Sequence, residues 1–295
     1  MRKVLYAAFD FLLFGNLFMA LCTVAQALVT FILIDAKPVF PVLAILFCST
    51  LFTYNFSILI TKPKYPELSP FKRVRWFFAR YKLMVAITVI SAMLLLPLFF
   101  WVSAPSKILL VLLSVLSIGY GMPLFSVGKQ RFGLRNIPGL KLLLIGSTWA
   151  LSVVLLPVFE AQNLQHLTFS KTEILVLTAK RFLFITAMAI PFDIRDLFQD
   201  RNVGLKTIPV VFGEKNAYLL CQVLLAGYLF LLFFFREPGF NSNFFALAIT
   251  IVLASWLIFR SNFIKNEYYY FFFVDGILIL QYVLMLVFKF LQEMF

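Results

Sequence analysis

Long apolar runs recur along the whole chain, and short polar connections separate them. Each run holds about twenty residues, the length that a helix needs to cross a hydrocarbon core of about 30 Å. Backbone amides and carbonyls find no water in lipid, so a spanning run is expected to satisfy them internally as a helix. We count about nine such runs. The pattern predicts an all-α, polytopic membrane protein with about nine transmembrane helices in a single bundle.

The predicted spans are numbered here from the amino terminus. The first follows Arg2 and Lys3 and is too long for the apolar core of a signal peptide, so we interpret it as a membrane anchor. Lys180 and Arg181 fall inside the sixth span and are expected to snorkel towards the interface. Neither an internal repeat nor a soluble segment is visible, and residues 1–295 are predicted to form one integral-membrane domain. The spans run from about 9 to 34, 39 to 60, 83 to 102, 108 to 127, 140 to 158, 172 to 193, 217 to 235, 244 to 259 and 269 to 288.

Composition favours a membrane setting and excludes several kinds of site. The chain is 62% hydrophobic and 13% charged, which is too apolar for a soluble globule of 295 residues. Its three cysteines lie inside predicted spans without metal-ligand or redox spacing. The one histidine, His166, lies in a polar connection. A site built on imidazole or thiolate ligands is therefore not expected.

The net charge of +13 is explained by the places where the basic residues stand. If nine spans alternate from an inside amino terminus, the connections after spans two, four, six and eight share one face and hold most of the lysines and arginines. Because basic loops remain on the cytoplasmic side of a membrane, the amino terminus and this face are predicted to be cytoplasmic. The charge thus indicates a lipid bilayer as partner and requires no nucleic acid.

Three acids crowd the end of the sixth span. If that helix continued through Asp200, Asp193, Asp196 and Asp200 would lie within roughly a 60° arc of one face. Three neighbouring carboxylates repel one another unless a cation lies between them. An all-oxygen cluster without histidine or cysteine suits Mg²⁺ better than Zn²⁺. The alternative is a solvated acidic loop between two membrane helices.

The residues that follow the acids favour the first interpretation. Gly204, the run Lys206-Thr-Ile-Pro-Val and Gly213 complete a stretch of about twenty positions. This stretch resembles the second aspartate motif of the UbiA-type intramembrane prenyltransferases. The resemblance implies that Asp193, Asp196 and Asp200 are the catalytic, metal-binding residues, which hold Mg²⁺ on the diphosphate of an isoprenyl donor. It also implies that Lys206 reaches the phosphates as a point charge.

The family's first aspartate motif is largely missing from this chain. Asn55 matches its asparagine, but its three acidic positions fall on Phe56, Leu59 and Pro63, which bind no metal. Half of the metal site implied by the resemblance is therefore unaccounted for. Asn16, inside the first span, either makes a helix-to-helix hydrogen bond or lines the substrate cavity, since the family often carries an asparagine near the start of its first helix.

Basic residues near the missing motif suggest a compensation. Lys62 or Lys64 is expected to neutralise diphosphate charge that Mg²⁺ would neutralise in relatives with both motifs; ordinary loop topology is the alternative. The connection after the fourth span starts with a Tyr-x-x-Pro-Leu pattern that also resembles the family. Further candidate phosphate contacts are Lys129, Arg131 and Arg135 in that connection and Arg201 beside the acids.

The resemblance implies an activity. We expect Mg²⁺-dependent transfer of an isoprenyl group from a polyprenyl diphosphate to an aromatic or other hydrophobic acceptor, in a central cavity of the bundle. Metal and basic side chains would stabilise the charge that develops on the leaving group. The missing first motif leaves a second interpretation open, a family relative that binds isoprenoid or lipid without turnover. A transporter or channel is disfavoured, because few charges lie deep in the spans.

Overall fold

The helices account for almost all of the regular structure in the described part of the chain. The computed structural model describes residues 2–121, 125–127, 130–132, 139–202, 204–235, 240–264 and 266–294. The helices are α1 (Arg2–Phe14), α2 (Leu17–Leu33), α3 (Phe40–Ile60), α4 (Lys72–Ala79), α5 (Tyr81–Phe100), α6 (Ala104–Gly121), α7 (Leu140–Gln165), α8 (Lys171–Arg195), α9 (Leu197–Asn202), α10 (Ile208–Phe212), α11 (Glu214–Phe234), α12 (Ser242–Ser261) and α13 (Gly276–Met294).

Two short strands form a small hairpin in the connection between α6 and α7. β1 (Phe125–Val127) pairs antiparallel with β2 (Gln130–Phe132), and Ser126 stands opposite Arg131. Two strands of three residues each are too short to form a sheet layer that could cover a core. The hairpin therefore leaves the predicted all-α class intact.

Most of the predicted spans are present as long apolar helices. Seven helical segments in the described residues are long and apolar enough to cross a membrane, and the pair α1 and α2 makes an eighth if it is one span. The predicted fourth span corresponds to α6, an apolar helix that is shorter than the others. The prediction of a polytopic, all-α membrane protein is confirmed, with seven or eight full spans in the described residues where about nine were predicted.

The first predicted span is broken at Gly15 and Asn16. The axes of its two halves, α1 and α2, differ by 60°. Asn16 takes a left-handed conformation (φ 64°), which asparagine tolerates better than most residues. A Cβ atom on Gly15 would lie 2.5 Å from the carbonyl oxygen of Phe11, so only glycine fits there. The break leaves the Asn16 side chain buried at the junction of two helices.

A second irregularity begins the last span. Residues Tyr269–Val274 form a π-helical turn, and Asp275 stands between that turn and α13. π-turns inside helices are frequent at functional sites. Asp275 is 5% exposed, so the turn places an acid inside the bundle.

Helices α7 and α8 form the centre of the packing. They pack against each other, and α8 also packs against α11, whereas α2 packs against α3, α7 and α13. The close contact between α7 and α8 requires Gly146, because a Cβ atom there would lie 2.3 Å from Oγ1 of Thr186. Small residues bring membrane helices together in this way, since lipid provides little hydrophobic drive for their association.

The connections separate into two faces. On one face, the Glu267 carboxylate accepts the backbone N–H groups of Lys72 and Arg73 at 2.6 and 3.0 Å, and so caps the first turn of α4. On the other face, the Gln165 side chain bonds the backbone of Lys37. The face with α4 also carries the end of α8, and it is there that the candidate site lies.

Arg181 does not snorkel as the sequence predicts. Its side chain is buried in the bundle, where its guanidinium donates to Gln26, to Gln281 at 2.8 Å and to Thr30 at 3.4 Å. The interior of the helical bundle offers no water, so a buried guanidinium needs several acceptors from neighbouring helices. The two glutamines, on α2 and α13, supply acceptors that a hydropathy pattern does not reveal.

We expect Gln26→Leu to destabilise the protein by about 1–3 kcal/mol, because it removes one acceptor from a buried charged donor. The measurement is the melting temperature of the detergent-solubilised protein, which is determined from the loss of the monodisperse peak in size-exclusion chromatography as the temperature rises. Gln292→Leu changes an exposed glutamine on α13 and is the matched control. Equal melting temperatures for the two variants would contradict the structural role of the Arg181 network.

Candidate active site

The three predicted aspartates lie at the end of α8 and just beyond it. α8 ends at Arg195, Asp196 follows it, and α9 begins at Leu197, so the helix does not run unbroken through Asp200. The backbone N–H of Asp200 still donates to the carbonyl of Asp196 at 2.9 Å, which keeps the acids on adjacent turns. Asp193 and Asp200 are 3% and 5% exposed, which excludes a solvated acidic loop at those two positions.

The loop after α9 has the turn that its sequence predicts. Gly204 has φ 72°, a left-handed value that favours glycine. The backbone N–H of Leu205 donates to the carbonyl of Asp200 at 2.8 Å and ends the helix. Gly204 thus terminates α9 directly after the acids. Lys206 follows in this turn and is exposed.

Asp193 is paired with a lysine that sequence reasoning did not select. Lys141 stands in the first turn of α7, and its ammonium donates to Oδ1 of Asp193 in a partly buried salt bridge. Oδ2 of Asp193 is a buried atom with no hydrogen-bond partner in the described structure. Lys141 lies at the end of the basic connection that contains the predicted phosphate contacts. Its position there is the feature of the sequence that could have identified it as a site residue.

Asp196 is held by its neighbour in sequence. Arg195 donates from Nε and Nη2 to the two carboxylate oxygens of Asp196, at 2.7 and 3.0 Å. Four aromatic rings surround the Arg195 guanidinium at 5.1–5.5 Å from their centroids. Such rings stabilise a cation that has little access to water. The rings belong to Phe71, Phe192, Tyr270 and Phe271.

The two predicted asparagines meet, and they hold an arginine. Nδ2 of Asn16 donates to Oδ1 of Asn55 at 2.6 Å, and Asn55 is fully buried. Oδ1 of Asn16 accepts from Nη2 of Arg73, on α4, and the Arg73 guanidinium lies 4.9 Å from the ring centroid of Phe271. Burial and the nearby charge of Arg195 lower the pKa of Arg73 to about 10, so the side chain stays charged at neutral pH.

Six charged side chains line one cavity of about 230 Å³, which we call the polar cavity because of them. Three cations and three acids face it from four different parts of the chain. Asp275, from the π-turn at the start of the last span, lies within electrostatic range of Arg73 and Arg195. The charged lining residues are Arg73, Lys141, Asp193, Arg195, Asp196 and Asp275.

A second, mostly apolar groove adjoins the polar cavity. Its volume is about 320 Å³, and it is lined by residues of α3, α6 and α7 together with Arg73. Four residues line both spaces, so the cavity and the groove share part of their walls. They are Tyr54, Arg73, Ile145 and Trp149.

The other predicted contacts lie elsewhere or outside the described residues. Lys62 is exposed and packs over the rings of Phe78 and Tyr81, at 5.7 and 5.4 Å, and Lys64 packs over Tyr65. Arg201 lines a third cavity of about 410 Å³ that shares Arg195 with the first.

The side chains predicted as phosphate contacts in the connection between α6 and α7 lie outside the described part of the structure. Lys129 and Arg135 lie outside the described residues, and for Arg131 only the backbone, in β2, is described.

The acids provide fewer metal ligands than the sequence suggests. Within the described ranges no three acids, cysteines or histidines come together as a metal site. Mg²⁺ usually takes only one or two carboxylates and completes its shell with water and substrate phosphate. The unpartnered Oδ2 of Asp193, with the charges of Asp196 and Asp200 in electrostatic range, fits one ion of that kind.

Solved structures share this fold at low sequence identity. A UbiA homologue from Archaeoglobus fulgidus bound to GPP and Mg²⁺ aligns with a TM-score of 0.66 and 12% identity over 95% of this chain and 99% of that chain. The same homologue bound to DMAPP and Mg²⁺ gives 0.63 and 12%, over 94% and 99%. The apo UbiA homologue from Aeropyrum pernix K1 gives 0.63 and 13%, over 94% and 98%.

Sequence comparison gives the family. No curated protein matches the chain by sequence. The family model described as the UbiA prenyltransferase family matches residues 72–269, from the start of α4 to the π-turn. That range is more than half of the chain and contains all three aspartates. By fold and by sequence, this multi-pass membrane protein belongs to the UbiA prenyltransferase family.

Proposed function

We propose that this protein transfers an isoprenyl group from a polyprenyl diphosphate to an aromatic or other hydrophobic acceptor in the membrane. The observation that carries the proposal is the polar cavity beside an apolar groove. Lys141, Asp193 and Arg73 face the space in which a diphosphate would lie, and the groove suits an isoprenoid tail. The relative from Archaeoglobus fulgidus was solved with GPP or DMAPP and Mg²⁺, ligands of the class proposed here.

The proposed reaction breaks the bond between C1 of the donor and its diphosphate oxygen. The electron pair leaves with the diphosphate, C1 bonds to the acceptor, and the acceptor loses a proton to solvent or to a basic group. Arg73, Arg195 and Lys141 donate hydrogen bonds towards the leaving group, in a cavity where scarce water makes them stronger than in bulk. The Oδ2 atom of Asp193, with the charges of Asp196 and Asp200 in electrostatic range, would hold Mg²⁺, which would supply further positive charge on the diphosphate.

The apolar walls exclude water from the reacting carbon. Trp149, Phe192 and Phe271 line the polar cavity, and their rings can stabilise an allylic cation through their π faces. Water would otherwise trap this cation as an alcohol. We propose that the ring-lined part of the cavity is where the acceptor meets C1 of the donor.

We also propose an orientation in the membrane. The face with α4 and the end of α8 carries the basic connections, so the amino terminus and the site lie on the cytoplasmic side. A water-soluble diphosphate product would then leave directly into the cytoplasm.

A family relative that binds isoprenoid without turnover is the second candidate. Phe56, Leu59 and Pro63 in place of the first motif favour it, as does the pairing of Asp196 with Arg195. Lipid extraction from the purified protein followed by mass spectrometry identifies the bound isoprenoid. Incorporation of radiolabelled GPP, or of the isoprenoid so identified, into membrane lipids then separates the two candidates, because only an enzyme forms a covalent product.

We expect Asp193→Asn to raise the Mg²⁺ concentration required for transfer by at least about tenfold, because it removes the charge of a carboxylate whose Oδ2 has no hydrogen-bond partner in the described structure. The measurement is product formation from radiolabelled donor across a Mg²⁺ series. Asp35→Asn, which changes an exposed acid on the opposite face, is the matched control. A Mg²⁺ dependence shared by Asp193→Asn and the wild type would exclude Asp193 as a ligand.

We expect Thr148→Trp to fill the apolar groove and to favour short donors over long ones. Overfilling a packed site costs about 1–3 kcal/mol, so discrimination against the longer donor is expected to rise by roughly tenfold or more. Competition between two labelled donors of different length measures this ratio. Val223→Trp places the same ring on an exposed position of α11 and is the control. An unchanged ratio in Thr148→Trp would show that the tail lies elsewhere.

A further inference from the structure

Arg73 differs from the other cations of the polar cavity in the partner that it holds. Lys141 and Arg195 each bond the carboxylate of an aspartate. Arg73 bonds the neutral amide of Asn16, and its Nε is a buried atom without a hydrogen-bond partner in the described structure. Asp275 lies within electrostatic range but is shared with Arg195. Arg73 therefore has unused donor capacity for an anionic ligand.

Three separate contacts fix the position of Arg73. Asn55, the residue kept from the family's first motif, bonds Asn16, and Asn16 in turn accepts from Arg73. Glu267 accepts the backbone N–H of Arg73 at 3.0 Å and holds the start of α4. The ring of Phe271 lies under the guanidinium. A guanidinium held in this way loses little conformational freedom when it binds a ligand.

Arg73 also stands where the two adjoining spaces meet. It lines the polar cavity with Asp193 and Lys141, and it lines the apolar groove between α3, α6 and α7. A polyprenyl diphosphate has its charged head and its apolar tail joined at one carbon–oxygen bond. A donor with its head in the cavity and its tail in the groove would place that junction beside Arg73.

We propose that Arg73 replaces the Mg²⁺ that the missing first aspartate motif would hold, and that it supplies that positive charge to the diphosphate. Where the motif has lost its acids, at Phe56, Leu59 and Pro63, the chain presents a guanidinium that binds the diphosphate directly. Asn55 is then a positioning residue, which acts on the donor through Asn16 and Arg73. The exposed Lys62 and Lys64 are not required for this role. The proposal rests on the proposed function and identifies how this chain binds the donor.

The test is binding of GPP and of inorganic pyrophosphate to the intact, detergent-solubilised protein, by calorimetry, with Mg²⁺ and with excess EDTA. The wild type is expected to retain measurable binding in EDTA. Arg73→Gln is expected to weaken binding in EDTA by at least about tenfold, the usual effect of losing one charge-assisted hydrogen bond. Arg75→Gln removes the same charge from an exposed position of the same helix, and its affinity is expected to equal that of the wild type.

Further variants separate recognition from folding. Arg73→Lys keeps the charge but not the planar fork, and is expected to bind between the wild type and Arg73→Gln. Asn16→Ala is expected to weaken binding as well, and to add little when combined with Arg73→Gln, because both act on one guanidinium. Melting temperatures of all the variants accompany the binding data, and the Arg73→Lys comparison decides the question if Arg73→Gln does not fold.

Two outcomes would overturn the role of Arg73 while leaving the proposed function intact. One is wild-type binding that requires Mg²⁺ absolutely, and the other is equal affinity of Arg73→Gln and Arg75→Gln in EDTA. A protein that binds neither GPP nor a longer polyprenyl diphosphate even with Mg²⁺ would instead contradict the proposed function itself.

Discussion

The need to partner every charge inside an apolar bundle shapes this structure more than any other constraint. A guanidinium or carboxylate in the membrane interior loses its water and must find hydrogen bonds or opposite charge from neighbouring helices. Arg181 finds two glutamines, on helices that are far apart in sequence. Lys141 finds Asp193, and Arg195 finds Asp196. The contacts of Arg181 and Lys141 join different helices, whereas Arg195 and Asp196 are neighbours in sequence.

The same constraint suits the site to the proposed binding of an anion. Charges that are paired but poorly hydrated interact strongly with an incoming diphosphate, because little water has to be reorganised. Oδ2 of Asp193 and Nε of Arg73 are among the buried polar atoms of the described residues that the proposed ligand, with its metal, could satisfy. The cavity thus combines paired charges with polar atoms that remain available for the proposed substrate.

The breaks in the helices coincide with the site. Asn16 stands at the bend between α1 and α2, Asp196 at the end of α8, and Asp275 after the π-turn. A regular helix uses its backbone groups within the span, and an irregular turn brings side chains to positions that regular geometry does not reach. Three such breaks around one cavity let residues from distant parts of the chain converge without opening the rest of the bundle.

Sequence alone determined the membrane setting, the helical class and most of the span boundaries, because hydropathy over about twenty residues depends on no distant contact. It also selected Asp193, Asp196 and Asp200, since they lie close together along the chain in a pattern with a known chemistry. It did not predict the burial of Arg181, because the acceptors on α2 and α13 are separated from it by 155 and 100 residues in sequence.

Only the tertiary structure decided which cations belong to the site. Lys62 and Lys64 are closest in sequence to the missing motif, yet they are exposed and pack on surface rings. Arg73 lines the cavity, where its guanidinium donates to Asn16 at the bend between α1 and α2, and Asn16 in turn donates to Asn55 on α3. Side-chain pairing across helices depends on where helices bend and cross, and no local pattern encodes that geometry.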